Sequence, residues 1–288
     1  MPSLRTIRIT VASIFLSASV AYLFFETGSV PAVQISERVQ IIPSALAVSI
    51  GATAFWLVAT FFFGRIYCSL VCPVGIIQDS ATWLRRRLYR IPMLRKWRNP
   101  LDGRPMFAPF RYRKSGKWRG LILLFYVVCL LLGFTGIAAL FEPWNIMRLA
   151  SESVHPAPTT TPTKGLLFAS NLLLGAVIGF EILIIIWIWA LVAGRKFCTE
   201  VCPIGTVLGH VTERGIWQIE FDPDRCVGCL RCEEICKSEC IKVVSRYVNN
   251  SKCVRCFDCI RVCDDDAIRF TPSRHRPATP LLRRKAGT

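Results

Sequence analysis

The sequence predicts an all-α four-helix transmembrane module, made of two repeated helix pairs, followed by a small cysteine-rich α+β domain. Three observations support this fold class. Apolar residues make up 52% of the chain and concentrate in four long blocks. A stretch with two cysteines and a proline occurs twice, after the second and the fourth block. Eight further cysteines near the C-terminus follow one spacing pattern that is repeated once.

The four apolar blocks predict the membrane module, because a helix that crosses a bilayer needs about 20 predominantly apolar residues and tolerates slightly fewer. The first block could be a cleaved signal peptide, but it is long, lacks a clear small-residue cleavage site and is soon followed by another block. We therefore interpret it as a retained helix. The blocks are Ile9–Phe25, Val39–Phe63, Leu121–Phe141 and roughly Asn171–Ala193.

Basic residues indicate the orientation of the module. Of the 36 Lys and Arg residues, 14 lie between Gly64 and Gly120 and 17 follow Ala193. By the positive-inside rule, the second loop and both termini are cytoplasmic, in a bacterial inner (cytoplasmic) membrane. The basic run Arg85–Arg87 closely follows a predicted span, so anionic lipid is its expected partner and nucleic acid is not.

Most of the 14 cysteines fall into patterned groups on the predicted cytoplasmic side. That compartment keeps thiols reduced, so metal ligation is expected rather than a disulfide framework. Haem is not expected. The sequence has no Cys-x2-Cys-His, and none of its three histidines lies inside a predicted span.

The C-terminal cysteines have the spacing of a bacterial two-cluster ferredoxin, Cys-x2-Cys-x2-Cys-x3-Cys in each motif. Three thiolates on a tight loop bind one [4Fe–4S] cluster, and the fourth binds the other cluster. A zinc site is the alternative for any four cysteines, but the doubled spacing argues against it. The predicted ligands are Cys226, Cys229, Cys232 and Cys263 for cluster one, and Cys253, Cys256, Cys259 and Cys236 for cluster two.

Two details depart from the usual ferredoxin pattern. Proline normally follows the fourth cysteine of each motif, but Lys237 and Asp264 stand there. Since that proline shapes a turn and is not a ligand, the predicted ligands are unchanged. Cys240 is an extra thiol close to cluster two, which we interpret as a packing residue.

The two corners after the second and fourth blocks share the pattern Gly-Arg-x-aromatic-Cys-x3-Cys-Pro. Both blocks end on the cytoplasmic side, so the two cysteine pairs are expected at the same membrane face. Cysteines four residues apart share one face of a helix, and two facing pairs would supply a redox or metal site. The alternative is a structural corner in which the cysteines pack as small apolar residues. The four cysteines are Cys68, Cys72, Cys198 and Cys202, and the preceding Arg65 and Arg195 either reach the membrane interface or take part in binding.

Glu181 is the candidate catalytic residue. It lies near the middle of the fourth block, where a carboxylate is costly and therefore suggests function. It would accept a proton from a quinol or pair with a neighbouring helix. Glu26 and Glu142 lie at the predicted outer membrane boundary, where carboxylates are tolerated.

The predicted domain organisation has six segments. They are a first transmembrane helix pair (1–63), a cytoplasmic segment with the first corner and a basic loop (64–120), a second transmembrane helix pair (121–193), a segment with the second corner (194–220), a two-cluster ferredoxin-like domain (221–272) and a basic, disordered tail (273–288).

These motifs resemble those of the NapH/MauN family of ferredoxin-type membrane proteins, and the chain is NapH-like. The resemblance rests on Cys68–Pro73 leading to Asp79–Arg87, on Cys198–Gly205 and on the doubled cluster motif. It covers nearly the whole chain. The basic segment Tyr89–Arg119 and the outer loop rich in proline and threonine depart from it.

The resemblance implies a membrane-bound iron–sulfur protein that exchanges electrons between the quinone pool and a redox partner. It would be a quinol dehydrogenase component of a periplasmic respiratory pathway of the nitrate-reductase type, and an electron-transfer subunit rather than a stand-alone enzyme. The implied cofactors are two [4Fe–4S] clusters, with a quinol as substrate and a periplasmic iron–sulfur or cytochrome subunit as partner. The alternatives are a maturation factor that delivers electrons to a periplasmic redox enzyme during assembly, and a structural anchor.

Overall fold

The computed structural model describes residues 4–24, 50–98, 103, 105–134, 140–151 and 165–272. Glu26, most of both predicted outer loops and the predicted tail 273–288 lie outside these residues. The helices before the C-terminal domain are Leu4–Phe24 (α1), Ile50–Phe63 (α2), Tyr67–Leu70 (α3), Pro73–Leu88 (α4), Trp118–Leu131 (α5), Pro143–Ser151 (α6), Gly165–Ala193 (α7) and Pro203–Glu213 (α8).

Within the described part of the chain, one helical stretch, Leu4–Ala21, is long and apolar enough to cross a membrane. Shorter apolar helices run over Thr53–Phe63, Trp118–Leu131 and Val177–Ala193. Each of these stretches overlaps one of the predicted spans.

Glycines in the left-handed region end the apolar helices α2 and α7. Gly64 has φ 80° and Gly194 has φ 66°. Only glycine adopts this conformation without a steric cost from Cβ, which is why it so often follows the last turn of a helix. Each glycine turns the chain directly into one of the two cysteine-containing corners.

The third apolar block does not form the single helix that the sequence predicts. α5 ends at Leu131, and Gly133 beyond it has φ 79°. After residues 135–139, which the structure does not describe, α6 packs back into the module. Ala150 of α6 is buried against α7, where a Cβ atom on Gly179 would come within 2.5 Å of the Ala150 nitrogen. The apolar helix α5 therefore ends within the block, and the short buried helix α6 begins just after it.

The C-terminal domain contains two small antiparallel sheets. Strand β1 (Trp217–Phe221) pairs with β4 (Ile268–Pro272), and β2 (Ile241–Lys242) pairs with β3 (Tyr247–Val248). β1 begins before the domain start at residue 221 that the sequence predicts. Two four-residue helices, α9 (Arg231–Glu234) and α10 (Asp258–Arg261), follow the two cysteine loops.

One apolar core joins the helices to this domain. It contains Trp56 of α2, Trp144 and Ile146 of α6 and all four corner cysteines, and it extends to Val254 and Cys256 of the second cysteine loop. The second cysteine loop therefore packs directly on the two corners.

Candidate functional site

The two cysteine loops of the C-terminal domain have the same backbone geometry. Residues with positive φ flank the central cysteine of each loop: Gly228 (79°) and Leu230 (65°) in the first, Arg255 (54°) and Phe257 (60°) in the second. Three of these four residues are not glycine, so the conformation is strained, as is common where backbone wraps a ligand. The equivalence indicates that both loops are shaped to hold the same kind of group.

The first set of predicted ligands is brought together. Cys232 lies near Cys226, Cys229 and Cys263, and burial together with these neighbouring thiols raises the pKa of Cys232 to about 12. Cys263 comes from the second motif, so the fourth cysteine crosses over as the spacing predicts.

The second set is brought together in the same way. Burial raises the pKa of Cys259, and the neighbouring charges of Cys256, Cys253 and Cys236 raise it further. Cys236 is the fourth cysteine of the first motif. The extra thiol of Cys240 is buried, with its Sγ 3.4 Å from Cys236 Sγ.

The chemistry of these thiols fits [4Fe–4S] clusters better than single ions. Among the residues with described positions, no three His, Cys, Asp or Glu side chains lie close enough to hold one metal ion. Two crossed sets of four cysteines match the ligand number of two [4Fe–4S] clusters, and four thiolates around a cube stand further apart than four around one zinc ion. The Ala267 N–H also donates to Cys263 Sγ over 3.2 Å, an interaction of the kind that tunes cluster potentials.

The two loops differ in exposure. Cys229 of the first loop is exposed, and its neighbours Val227 and Leu230 are 72% and 38% exposed. In the second set, Cys253 and Cys256 are buried beneath the helices. One predicted cluster therefore has an edge open to solvent, whereas the other faces the helical module.

Lys237 anchors the domain to the module through buried ion pairs. Its Nζ lies 2.8 Å from Asp79 Oδ1 on α4 and 3.6 Å from Asp258 Oδ2 on α10. Asp79 also accepts from Arg195 Nε and from Arg8 Nη1, each over 2.7 Å. Burial alone would raise the pKa of Asp79, but these three cations outweigh it and hold the pKa well below its usual range.

The N-terminal helix takes part in the same network. Arg5 Nε donates to Asp258 Oδ1 over 2.7 Å, and Arg86 Nη2 lies 3.3 Å from Asp258 Oδ2. Arg85 is largely buried, stacks over the Phe110 ring at 4.1 Å and donates to the Val192 carbonyl. Part of the basic run that was expected to meet lipid therefore holds protein segments together.

The second cysteine loop is anchored by buried arginines. Arg255 is fully buried and donates to the Phe63 carbonyl over 3.3 Å and to the Trp217 carbonyl over 3.1 Å. A Cβ atom on Gly64 would collide with this guanidinium. Arg65 Nη1 donates to the Ser251 carbonyl over 3.0 Å, so the first corner bonds the loop directly.

The four corner cysteines lie together in the core that joins the two parts. Cys68, Cys72, Cys198 and Cys202 are each 3–4% exposed. Burial raises the pKa of Cys72, and the charges of the other three cysteines add to this effect. The structure therefore brings the two cysteine pairs together in one core.

Arg65 and Arg195 are both fully buried and do not extend to a membrane interface. Each reaches across to the other corner: Arg65 Nη2 donates to the Cys198 carbonyl over 2.6 Å, and Arg195 Nη1 donates to the Cys68 carbonyl over 2.8 Å. The snorkelling interpretation is therefore wrong for both, because their hydrogen-bond acceptors lie inside the protein.

Glu181 and Glu142, the candidate carboxylates that the structure describes, occupy different environments. Glu181 is exposed on α7. Glu142 was expected at the outer boundary, but it is buried, and it accepts from Tyr126 Oη and from Asn145 Nδ2, each over 2.5 Å. Glu142 is buried because the adjoining helix α6 packs into the core. No local sequence pattern predicts this burial.

The sequence contained a weak indication that Asp79 pairs with other segments, since a carboxylate in a basic helix is unusual.

Comparison with known proteins agrees with this site. A family described as "4Fe-4S binding domain" matches residues 44–92 and 175–219, which contain the two corners, and a second family of that description matches residues 219–242. The methylamine utilization ferredoxin-type protein MauN of Paracoccus denitrificans is 30% identical over 67% of this chain and 56% of its own length. The ferredoxin-type protein NapH of Haemophilus influenzae is 24% identical over 68% of this chain and 55% of its own length.

The chain belongs to a NapH/MauN-like family of ferredoxin-type proteins. It spans just over half of the length of each of these relatives. NADH-quinone oxidoreductase subunit I of Sulfurimonas denitrificans is also similar, with 30% identity over 39% of this chain and 55% of that subunit. No solved structure gives a significant match. This NapH/MauN-like chain is thus an iron–sulfur protein of the ferredoxin type.

Proposed function

We propose that this protein is a membrane-bound subunit that exchanges electrons between the quinone pool and a redox partner, as a quinol dehydrogenase component. The observation that carries the proposal is the shared core, in which Cys256 of the second cysteine loop packs with the corners and helices of the module. Two [4Fe–4S] clusters bound to the two cysteine sets would supply one-electron transfer between that core and the solvent-exposed edge at Cys229.

The orientation of the module in a membrane is part of the proposal. Arg5 and Arg8 at the start of α1 bond Asp258 and Asp79, so the N-terminal end of α1 lies on the same side as the C-terminal domain. The outward faces of the apolar helices carry exposed large side chains, including Phe55, Leu124 and Ile185. A contiguous apolar surface of this kind suits lipid contact. These features support four spans in the inner membrane, with both termini and the domain in the cytoplasm.

Quinol oxidation releases two protons along with two electrons, so the module needs a proton acceptor. Glu181 is one candidate, and its exposed position on α7 would open it to a quinol in the lipid. The buried pair of Tyr126 and Glu142 is the second, because Glu142 belongs to the segment that packs against the corner cysteines. A phenol bonded to a carboxylate provides a route for a proton away from a bound quinol.

The proposed partner is a periplasmic iron–sulfur or cytochrome subunit, as in a nitrate-reductase type of pathway. The bilayer core is about 30 Å thick. The cysteine centres all lie at the end of the module that carries the C-terminal domain. A diffusing quinone or a partner's cofactors would therefore carry electrons to the other side.

A maturation factor is the second candidate, favoured by the solvent-exposed edge of the first cysteine loop. Val227 and Leu230 there are apolar and exposed, and a cytoplasmic electron donor would dock on such a surface. Depletion of the protein after its target enzyme has been made separates the candidates. Turnover continues if the protein is only a maturation factor and stops if it donates electrons.

The test of quinol oxidation uses the full chain, purified anaerobically together with its partners and oxidised beforehand. Addition of a quinol analogue should produce the paramagnetic signal of reduced clusters. The matched control is Cys256→Ser, which removes a ligand of the cluster proposed next to the helices. In this variant the remaining cluster should be reduced by the quinol slowly or not at all. A wild-type protein whose clusters stay silent towards every quinol tested would refute the proposal.

A further inference from the structure

A small pocket lies where the basic segment between α4 and α5 crosses the C-terminal end of α7. Residues 105–113 of that segment, here called the strap, border the pocket on one side. The opposite wall consists of Trp189, Val192 and Ala193 of α7 and of Lys196 just beyond it. The pocket volume is about 160 Å³. Sites for whole cofactors measure roughly 300–1,000 Å³, so this pocket suits a compact headgroup.

Hydrogen bonds hold the strap in place against the protein. Phe110 N–H donates to the Glu234 carbonyl over 3.1 Å. Arg85 joins the strap to α7, because its guanidinium donates to the Ala108 carbonyl and to the Val192 carbonyl, each over 2.5 Å. Both walls of the pocket are therefore fixed, and the site is formed before any ligand arrives.

Positive charge converges on this pocket. Glu239 is the one acidic side chain among the described residues that line it. Its Oε2 lies 3.8 Å from Arg113 Nε and 3.9 Å from Lys196 Nζ, which is too far for a hydrogen bond. Arg111 is exposed and has no hydrogen-bond or ion-pair partner among the residues that the structure describes. Donors are therefore left over for an anion. The cationic lining residues are Arg85, Arg111, Arg113 and Lys196.

The pocket lies at the level where the apolar helices end. α7 is apolar up to Ala193, and the chain runs from the strap to Trp118, the first residue of α5. Trp189 is 39% exposed and Trp118 is 72% exposed. Tryptophans next to Lys and Arg at the ends of apolar helices are typical of the boundary between bilayer and water. Basic pockets at the cytoplasmic ends of transmembrane helices bind anionic lipid headgroups.

An apolar surface leads away from the pocket along α7. Ile188 lies one turn before Val192, and Ile185 lies almost one turn before Ile188, so the three share one side of the helix. Ile185 and Ile188 are both more than half exposed. A ligand with a phosphate in the pocket and hydrocarbon chains along this surface would match both parts of the site.

We propose that the pocket between the strap and α7 binds the phosphate of an anionic phospholipid, whose acyl chains lie along α7. Arginine pairs with phosphate through two parallel hydrogen bonds, which suits Arg111 and Arg113, whereas Lys196 supplies a point charge. The inference rests on the membrane placement included in the proposed function. It assigns the lipid to the strap and not to Arg85–Arg87, where the sequence alone predicted it.

The first test compares two lipids on the full chain, purified in detergent with its clusters intact and stripped of bound lipid. Phosphatidylglycerol is titrated in and counted by native mass spectrometry. Phosphatidylcholine, which has the same phosphate but no net charge, is the comparison. One phosphatidylglycerol should be retained at concentrations at which phosphatidylcholine is lost. Equal retention of the two lipids would overturn the proposal.

Arg111→Gln locates the site, since this side chain has no described partner and its loss should leave the fold and the cluster absorbance unchanged. A basic side chain near a lipid surface contributes about 1 kcal/mol, so the affinity for phosphatidylglycerol should fall about 5-fold in this variant and about 25-fold in Arg111→Gln/Arg113→Gln. Arg111→Lys keeps the charge and should bind almost as the wild type does.

Lys114→Gln is the matched control. It makes the same change of charge at an exposed lysine next to the strap that does not line the pocket. Its affinity for phosphatidylglycerol should be close to that of the wild type. A loss as large as that of Arg111→Gln would show a general attraction between the basic segment and lipid, and would overturn the proposed site.

Inorganic phosphate distinguishes a lipid from a soluble anion. An excess of phosphate, added before the lipid, should not displace phosphatidylglycerol, because phosphate lacks the acyl chains. Displacement would show that the pocket serves a soluble anion and would overturn the lipid assignment. Cluster reduction by a quinol is measured on the same samples. Loss of lipid selectivity with an intact quinol response would refute only the lipid site, and the reverse result would refute only the proposed quinol reaction.

Discussion

Lys237 Nζ lies 2.8 Å from Asp79 Oδ1, and this buried ion pair joins the residue after a predicted cluster ligand to the helix after the first corner. Proline usually occupies the position of Lys237 in two-cluster ferredoxins. A proline would shape the turn there but would bring no charge to Asp79. The lysine therefore adapts a ferredoxin loop to docking on a helical module.

Replacement of Lys237 by methionine should destabilise the docked domain. Asp79 and Asp258 would lose a buried cation that they share. Breaking a buried ion pair costs about 3–5 kcal/mol of stability. We expect a loss at the low end of this range, because arginines still pair with both carboxylates. Thermal unfolding followed through cluster absorbance measures the effect. Lys114→Met, at an exposed lysine, is the control and should change the free energy of unfolding little. Equal stability of the two variants would contradict the docking role.

Docking should depend on pH only under acidic conditions. The pKa of Asp79 is lowered in the folded protein because its three cationic partners outweigh burial, and the pKa of Asp258 is lowered as well. A carboxyl group whose pKa is lower in the folded state stabilises the fold at pH values above its unfolded pKa of about 3.9. This stabilisation is lost as the pH falls below that pKa. Unfolding measured from pH 8 to pH 3 should show constant stability down to about pH 5 and a steep loss below pH 4. Asp79→Asn should be less stable at pH 7 and show a weaker acid transition.

Gly64→Ala should be far more damaging than Gly120→Ala. Gly64 has φ 80°, and an added Cβ would collide with the fully buried Arg255. The positive φ alone costs about 1–2 kcal/mol for a residue with a Cβ, and displacement of the arginine adds to this. Gly120 lies in α5 with nothing within 4 Å of its added Cβ, so alanine there should be neutral or slightly stabilising. Protein yield and melting temperature in detergent give the comparison.

The crossed ligand sets predict which cluster each cysteine supports. Cys236→Ala should remove the same paramagnetic signal as Cys253→Ala, although Cys236 belongs to the first motif in sequence. Cys263→Ala should instead match Cys226→Ala. Spectra of the four variants, recorded after reduction with dithionite, decide this. If Cys236→Ala resembled Cys226→Ala, each motif would hold its own cluster and the assignment would be wrong.

The proton acceptor can be identified by neutral substitutions. We expect Glu142→Gln to slow quinol-dependent cluster reduction by about 100-fold, the lower range for loss of a general base. Tyr126→Phe removes the hydrogen bond to Glu142 and should slow it less. Glu181→Gln tests the exposed carboxylate in parallel. If only Glu181→Gln slows the reaction, the proton leaves through α7 and not through the buried pair. Dithionite reduction should be unchanged in all three variants.

The grouping of the cysteines in each loop could be predicted from the sequence because their spacing is local. Cys226, Cys229 and Cys232 lie within one short loop, so their spacing alone limits which group they can surround. The equivalent placement of the two cysteine pairs was also predictable, since each pair follows an apolar helix that ends at a left-handed glycine. In each case the information lies within about ten consecutive residues.

The position of Glu142 shows where sequence reasoning stops. Hydropathy describes the third apolar block as one continuous segment, and Glu142 then falls at its outer end. The structure ends α5 at Leu131 and returns α6 to the core, because the apolar side of α6 is buried against α7. Periodicity does not show which surface will cover an amphipathic helix.

The sequence by itself determined the cysteine pattern, the repeated corners and the NapH/MauN-like family, since these depend on residue type and spacing along the chain. Only the tertiary structure decided that Lys237 meets Asp79, that Arg65 and Arg195 each bond the other corner, and that Cys256 shares a core with the corner cysteines. Those contacts join residues far apart in the chain. Their partners are selected by the need to pair buried charge and to cover apolar surface, which exists only once the segments have packed.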